Sequence, residues 1–265
     1  MSFVGVLWRD RELLWRLAQR EVLGRYRGAA LGLYWSMLIP LMMLGVYTVI
    51  FSQVFQARWG SLENSGSLGF AINLFAGLIV FNIFSECIGK APQLLIENPS
   101  YVKKIIFPLH ILGAAKVLSA LLHAAISLAM LVVFQLLATG SLPPTYLWVP
   151  AVWLPLALVT LSGTWLLSAA GVFLRDISQA TTVLLNLVMF LSPIFYPISQ
   201  LPPRLRELLH WNPIALTIEQ TRQICIDGSG PSWTYLVLGT SLAALACELS
   251  FRIFGRAKRA FADVL

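Results

Sequence analysis

Apolar residues run through this chain in blocks that charge does not interrupt. Gly28–Ala57, Asn64–Ser85, Val117–Leu174, Ile177–Pro203 and Tyr235–Cys247 contain no Asp, Glu, Lys or Arg. The block 117–174 is long enough for two crossings of a bilayer, with a turn at Gly140–Pro144. A charge at the bilayer centre costs roughly 2.5–3.5 kcal/mol, and about 20 apolar residues cross the hydrocarbon core. Such blocks therefore mark membrane spans. Six are predicted, at Leu31–Phe55, Leu68–Ile88, Val117–Ala138, Leu147–Leu174, Thr181–Tyr196 and Trp233–Phe251. The fifth is short; it is extended by Ile177 and Ile198 or is partly re-entrant. In the sixth, Glu248 lies within a turn of the interface, close enough to reach the headgroups. The fold class expected is all-α, a polytopic membrane protein with six transmembrane helices.

The segments between the spans carry their own patterns. Over Phe3–Tyr26, helical periodicity puts Val4, Leu7, Trp8, Leu14, Trp15, Ala18, Val22 and Tyr26 on one side and Arg9, Glu12, Arg16 and Arg20 on the other. Residues 1–27 thus read as a cytoplasmic amphipathic interface helix, with Trp8, Trp15, Arg20, Arg25 and Tyr26 at the membrane surface. A helix packed on other protein has the same pattern. Residues 28–251 form the span domain. The loop 90–116 bends at Asn98-Pro99, since a proline turns its predecessor away from the helical region, and two short helices meeting there are expected. It suits docking of a cytoplasmic partner, or is a plain connection. Residues 199–232 read as two short helices that Pro203 and Pro213 can each begin. They form a lid over an exit or a static cap. Residues 252–265 are a cytoplasmic tail.

Composition agrees with a membrane protein: the 265 residues are 58% hydrophobic and 12% charged, about half the charged fraction of a soluble domain. The net charge of +7 is spread along span ends instead of clustering on one surface, which argues against nucleic acid. With a cytoplasmic N-terminus, only Arg58, Arg204, Arg206 and Arg222 of the 19 basic residues fall outside. That bias follows the positive-inside rule and places both termini in the cytoplasm. Met1–Gly24 lacks the apolar core of a signal peptide. Cys87, Cys225 and Cys247 are too scattered for a disulfide framework, and the three histidines have no ligand spacing.

No catalytic constellation is visible. The chain has no G-x-x-x-x-G-K-[ST] run, no HExxH, no CxxC and no GxSxG. Acidic and basic residues sit at span ends, unlike the buried charges of an ion-coupled carrier. Energy for uphill transport would come from another polypeptide. Aromatics are placed to line a path for sugars: Tyr34, Trp35, Tyr47 and Phe51 in the first span, and Phe190, Phe195 and Tyr196 in the fifth. The same residues serve equally as interfacial belt or helix packing.

Five stretches, in order, resemble polysaccharide-exporting ABC-2-type permeases, the Wzm-like group. They are Leu17-Ala18-Gln19-Arg20-Glu21-Val22-Leu23-Gly24-Arg25-Tyr26-Arg27 with Leu31-Gly32-Leu33-Tyr34-Trp35; Glu97-Asn98-Pro99 with Val102-Lys103-Lys104-Ile105-Ile106-Phe107-Pro108; Phe173-Leu174-Arg175-Asp176-Ile177; Leu191-Ser192-Pro193-Ile194-Phe195-Tyr196-Pro197; and Trp211-Asn212-Pro213 with Ile218-Glu219 and Arg222. The similarity spans most of residues 15–225. It departs at Glu21, where the family usually has Asp, and after Gly77, where it often has Pro-Trp.

The resemblance implies a homodimer in the bacterial inner membrane with two copies of an ATP-binding cassette subunit. ATP and Mg belong to that partner, and no cofactor to this chain. The cargo would be a polyprenyl-diphosphate-linked polysaccharide, O-antigen above capsule or teichoic acid, moving between two protomers amid membrane lipids. Glu97, Asn98, Tyr101, Val102, Lys103, Lys104, Arg175 and Asp176 would couple to the ATPase. Leu205, Leu208, Trp211, Asn212, Pro213, Glu219 and Arg222 would form the outer gate. Two readings compete: a permease of this plan for a lipid or drug, and a membrane-embedded glycosyl- or phosphotransferase. For the latter only Asp176 and Glu97 offer isolated acids, without a DxD pair.

Overall fold

The computed structural model describes residues 2–25, 34–50, 66–102 and 107–264, and every regular element among them is helical. The order is α1 (Phe3–Arg9), α2 (Arg11–Arg25), α3 (Trp35–Thr48), α4 (Gly66–Lys90), α5 (Pro99–Val102), α6 (His110–Thr139), α7 (Val149–Phe173), α8 (Ile177–Leu191), α9 (Pro203–Leu209), α10 (Pro213–Cys225) and α11 (Thr240–Val264). Four helical segments are long and apolar enough to cross a membrane: Gly69–Gln93, His110–Thr139, Pro144–Phe173 and Tyr235–Lys258. They correspond to the second, third, fourth and sixth predicted spans. Between the middle two, Gly140 at φ 69° ends α6 in the left-handed conformation that glycine tolerates.

Of the other two predicted spans, the first contains α3, and its residues 31–33 and 51–55 lie outside the described residues. The fifth, α8, begins four residues earlier than expected and stops at Leu191. Ser192 is extended at ψ 145° because it precedes Pro193, which disfavours helix in its neighbour. Fifteen residues make about 22 Å of helix, less than a bilayer core.

One further correction concerns the N-terminal segment, read as a single helix. The N-terminal helix breaks at Asp10, whose carboxylate bonds the Arg9 guanidinium at 3.1 Å and stands 3.8 Å from His110 at the start of α6. The loop after α4 holds, among the described residues, a short 3-10 helix at Ala91–Gln93 before Asn98-Pro99 and α5 from Pro99 on, in keeping with two short elements meeting there. Residues 252–264 continue α11, and Phe254 and Phe261 on that stretch are buried.

Two apolar cores stack along the bundle. The proximal one gathers where the first and last helices meet, around fully buried Trp165 with Phe3, Leu95, Leu112 and Phe254. Trp165 donates its indole N–H to the His110 carbonyl at 2.8 Å. The distal core joins α4, α6, α7 and α10 through Phe70, Leu74, Leu131, Trp153 and Ile218. Glu248, expected to reach for headgroups, instead accepts the Phe3 backbone N–H at 3.0 Å and so holds the start of α1.

Gly171 fixes how α7 meets the turn after α4. A Cβ there would stand 2.1 Å from the Pro92 carbonyl oxygen. Gly171→Ala is therefore expected to force the two apart and to cost about 1–3 kcal/mol. A lowered melting temperature of the detergent-solubilised protein checks this; an unchanged one would mean the turn yields freely.

Candidate functional site

At the distal end, α10 enters the bundle between α4 and α7. Helix formation starts at Pro213, and the Asn212 side chain caps it by accepting from the Ile214 and Ala215 amides at 2.9 and 3.3 Å. The same side chain donates to Ser192 Oγ at 3.2 Å, joining the cap to the turn after α8.

Arg222, expected in the outer gate, is turned inward and only 4% exposed. Its Nε donates to the Asn73 carbonyl at 3.1 Å, Nη1 to Pro193 at 2.6 Å and Nη2 to Ile194 at 3.1 Å. Glu219 closes the set at 3.1 Å. Gly77 makes the room, since a Cβ there would lie 2.9 Å from Nη2. Burial draws the Arg222 guanidinium down to about 10, opposed by Glu219 and Asp227, so it stays charged at neutral pH. One side chain thus ties three elements distant in sequence: α4, the 192–197 turn and α10.

Other bonds fasten α10 along its length. Gln135 of α6 donates to the Cys225 carbonyl at 2.7 Å and accepts from the Tyr146 hydroxyl at 2.6 Å. Trp153 donates to Thr221 at 3.1 Å. Thr145 bonds the Ile224 carbonyl, and Thr217 pairs with the Tyr235 hydroxyl. Burial pushes the Cys225 thiol up to about 12, which keeps it protonated and inert.

Helix α9 differs. Leu205 and Leu208 are exposed, and Trp211 just beyond it is 87% exposed; Leu209 alone among its hydrophobics is buried. The seven residues predicted as one gate therefore divide. Asn212, Pro213, Glu219 and Arg222 belong to a fixed wedge, and Leu205, Leu208 and Trp211 to a helix with little of the bundle against it.

The predicted aromatic path also divides. Tyr34 is exposed and Trp35 half-buried at the start of α3. Phe190 is exposed at the end of α8, its ring 6.2 Å from that of Phe195, and the Tyr196 hydroxyl donates to the Phe190 carbonyl at 2.9 Å. These groups lie at opposite ends of the spans. The Tyr47 side chain and Phe51 lie outside the described residues.

At the proximal end, Arg20 of α2 donates to the Tyr101 hydroxyl at 2.6 Å and sits 5.6 Å over its ring. Tyr101 stacks on Phe107 at 4.5 Å, and Lys258 donates to the Phe107 carbonyl at 3.1 Å. The loop 94–102 is thereby joined to both ends of the chain. Val102 is buried and supports the loop from beneath; Glu97, Arg175 and Asp176 are exposed, and Asn98 bonds back to the Leu94 carbonyl. Trp8 and Trp15 are exposed, with Arg11 4.9 Å over the Trp8 ring. Lys103, Lys104 and Tyr26, and the Arg25 side chain, lie outside the described residues.

Sequence reading missed a charged cluster inside this end. Because α6 starts seven residues before the predicted span, Lys116 lies within it, nearly buried. Its ammonium stands 2.7 Å from Glu21 and 3.6 Å from Glu86, and Glu86 is 3.7 Å from His123. Glu86 and Lys116 each border a charge-free block, the only sign the sequence offers. Among the described residues, no three His, Cys, Asp or Glu side chains come together as a metal site.

Comparison with known proteins fits this architecture. Residues 12–226 match the family model for ABC-2 type transporters. The chain is 27% identical to an O-antigen export system permease protein, RfbA, of Myxococcus xanthus, over 99% of both chains. It is 23% identical to an RfbA of Klebsiella pneumoniae, over 96% of this chain and 95% of that one. A polysialic acid transport protein, KpsM, of Escherichia coli is 22% identical over 83% of this chain and 85% of its own.

Proposed function

Since this chain belongs to the ABC-2 type transporter family and is a membrane permease subunit, we propose that it exports a lipid-linked polysaccharide, O-antigen foremost, across the bacterial inner membrane. The observation that carries this reading is end-to-end similarity to O-antigen export permeases. Two copies form the path, and two copies of an ATP-binding cassette subunit supply the work. A polymer rich in hydroxyls cannot enter hydrocarbon, since unpaired polar groups are costly there. It needs a hydrated route, and the exposed apolar residues of α8 and α9, such as Leu184, Leu187 and Leu208, suit a wall between two copies.

In this reading α3 and α8 complete six spans, and the proximal end with both termini is cytoplasmic. The charge bias supports that orientation. The α1–α2 pair lies along the inner surface with Trp8 and Trp15 toward lipid. Glu97, Arg175 and Asp176 face the ATPase, and Tyr101 relays motion to α2 through Arg20. At the distal end, α10 is a fixed jamb and α9 the moving leaf.

Removing the chain from a strain that makes the polymer tests the function. Surface polymer should disappear and lipid-linked polymer accumulate inside, with recovery on re-expression; unchanged surface polymer would sink the reading. A reporter active only outside the inner membrane should give signal when fused at Ser229 and none when fused after Val264. The opposite pattern would invert the topology.

A further inference from the structure

The first turns of α3, the proximal half of α4 and the middle of α6 enclose an open cavity of about 800 Å³. That is within the roughly 300–1,000 Å³ of small-molecule sites. Trp35, Ile39, Ile79 and Ile83 form an apolar part of its wall, and Asn82, Ser85, Glu86, Lys90, His123 and Ser127 a polar part. The Glu86 carboxylate is held beside it by Lys116 at 3.6 Å and His123 at 3.7 Å.

This lining selects among occupants. A lipid tail would match the isoleucines but strip water from six polar side chains and give nothing back to them. The wholly apolar hollow of about 290 Å³ between Leu44, Phe75 and Phe134 shows what a tail-sized space looks like in the same protein. A small anion would meet the Glu86 carboxylate. A pyranose ring answers both parts of the lining. Its C–H face packs on an indole, and its rim of hydroxyls both donates and accepts. Carboxylate, amide, imidazole and hydroxyl groups supply the matching partners.

The geometry points to a sugar-binding subsite in this cavity, holding a short run of the polymer within one protomer before it moves between the two copies. The inference rests on the export reading above. It also connects to the proximal surface: Lys90 borders both this cavity and a charged cleft of about 410 Å³ lined by Arg20, Glu97 and Lys116.

A photoreactive p-benzoylphenylalanine at Ser127 tests it in the full transporter, within cells making the polymer and with ATP hydrolysis by the partner blocked. Illumination should attach a ladder of polymer to the permease. The same probe at Leu147, 86% exposed at the distal end, should attach none. As a second variant, Ser127→Trp fills the cavity and should lower export at least ten-fold at an unchanged membrane level. Asn82→Ala should lower it about three-fold. A Ser127 probe that captures only phospholipid, or normal export by Ser127→Trp at wild-type abundance, overturns the subsite. Such results beside an intact dependence of export on the chain leave the export reading standing. Surface polymer that survives removal of the chain fells both.

Discussion

Arg222→Ala should abolish measurable export and destabilise the folded permease by about 3–5 kcal/mol, the usual cost of breaking a buried charged network by removing one member. The guanidinium bonds the carbonyls of Asn73, Pro193 and Ile194 together. Alanine leaves the Pro193 and Ile194 carbonyls without that donor in a dry place, returns Asn73 to its bond within α4 alone, and frees α10 from α4. Arg222→Lys should retain most of the defect, because a single ammonium cannot reproduce the planar fork that reaches three acceptors. Glu219→Gln should be mild: that side chain is 39% exposed and keeps an acceptor oxygen. Melting of the solubilised protein, read beside surface polymer, separates the cases. Wild-type melting and export by Arg222→Ala would show that the wedge does not depend on this residue.

Export should also stop when α9 is tethered to α9 of a second copy. Cysteine at Leu205 or Leu208, oxidised to an intermolecular disulfide, should reduce export to background, and reduction should restore it. Both positions are exposed, so the substitution itself removes little packing. The native Cys225 stays out of the chemistry, being buried and protonated. The expectation follows from the contrast between the two helices. Side chains of α6 and α7, and of the segments just before α7 and α11, hold α10, whereas α9 buries one leucine. A short helix with so few contacts reorients at small cost. Undiminished export by the oxidised form would make α9 a static cover.

Much of this architecture was legible in the sequence because one strong force dominates it. Charge-free blocks became the long helices, and Pro203 and Pro213 began the two short ones as their missing N–H groups allow. What could not be read depends on partners far along the chain. Helical periodicity sets Arg222 beside Glu219, three residues away, and so suggests an outward polar face. Nothing local tells that its acceptor on α4 lies 149 residues earlier. The cluster of Glu21, Glu86, Lys116 and His123 is invisible for the same reason: Glu86 and Lys116 border apolar blocks, His123 lies within one and Glu21 on α2, and only packing brings them together. The break at Asp10 is subtler. Periodicity continues through it, but the aspartate turns toward His110, and the apolar stripe read across Phe3–Tyr26 becomes two faces. Phe3 and Val6 pack inward while Val4, Trp8 and Trp15 remain outside.

The bond from the Phe3 amide to Glu248 links residues 245 apart. A ribosome adding about 5–20 residues per second needs roughly 12–50 s to travel that distance. For that interval the earliest helix to emerge has no carboxylate at its amino end, and its seat against the final helix does not yet exist. The nascent chain must park α1 elsewhere, and the exposed Trp8, with Arg11 above it, offers the lipid headgroups as the waiting place. Maturation then ends with a transfer from bilayer to protein. A chain that stops before Glu248 has no acceptor for the Phe3 amide, so its first helix stays without that seat.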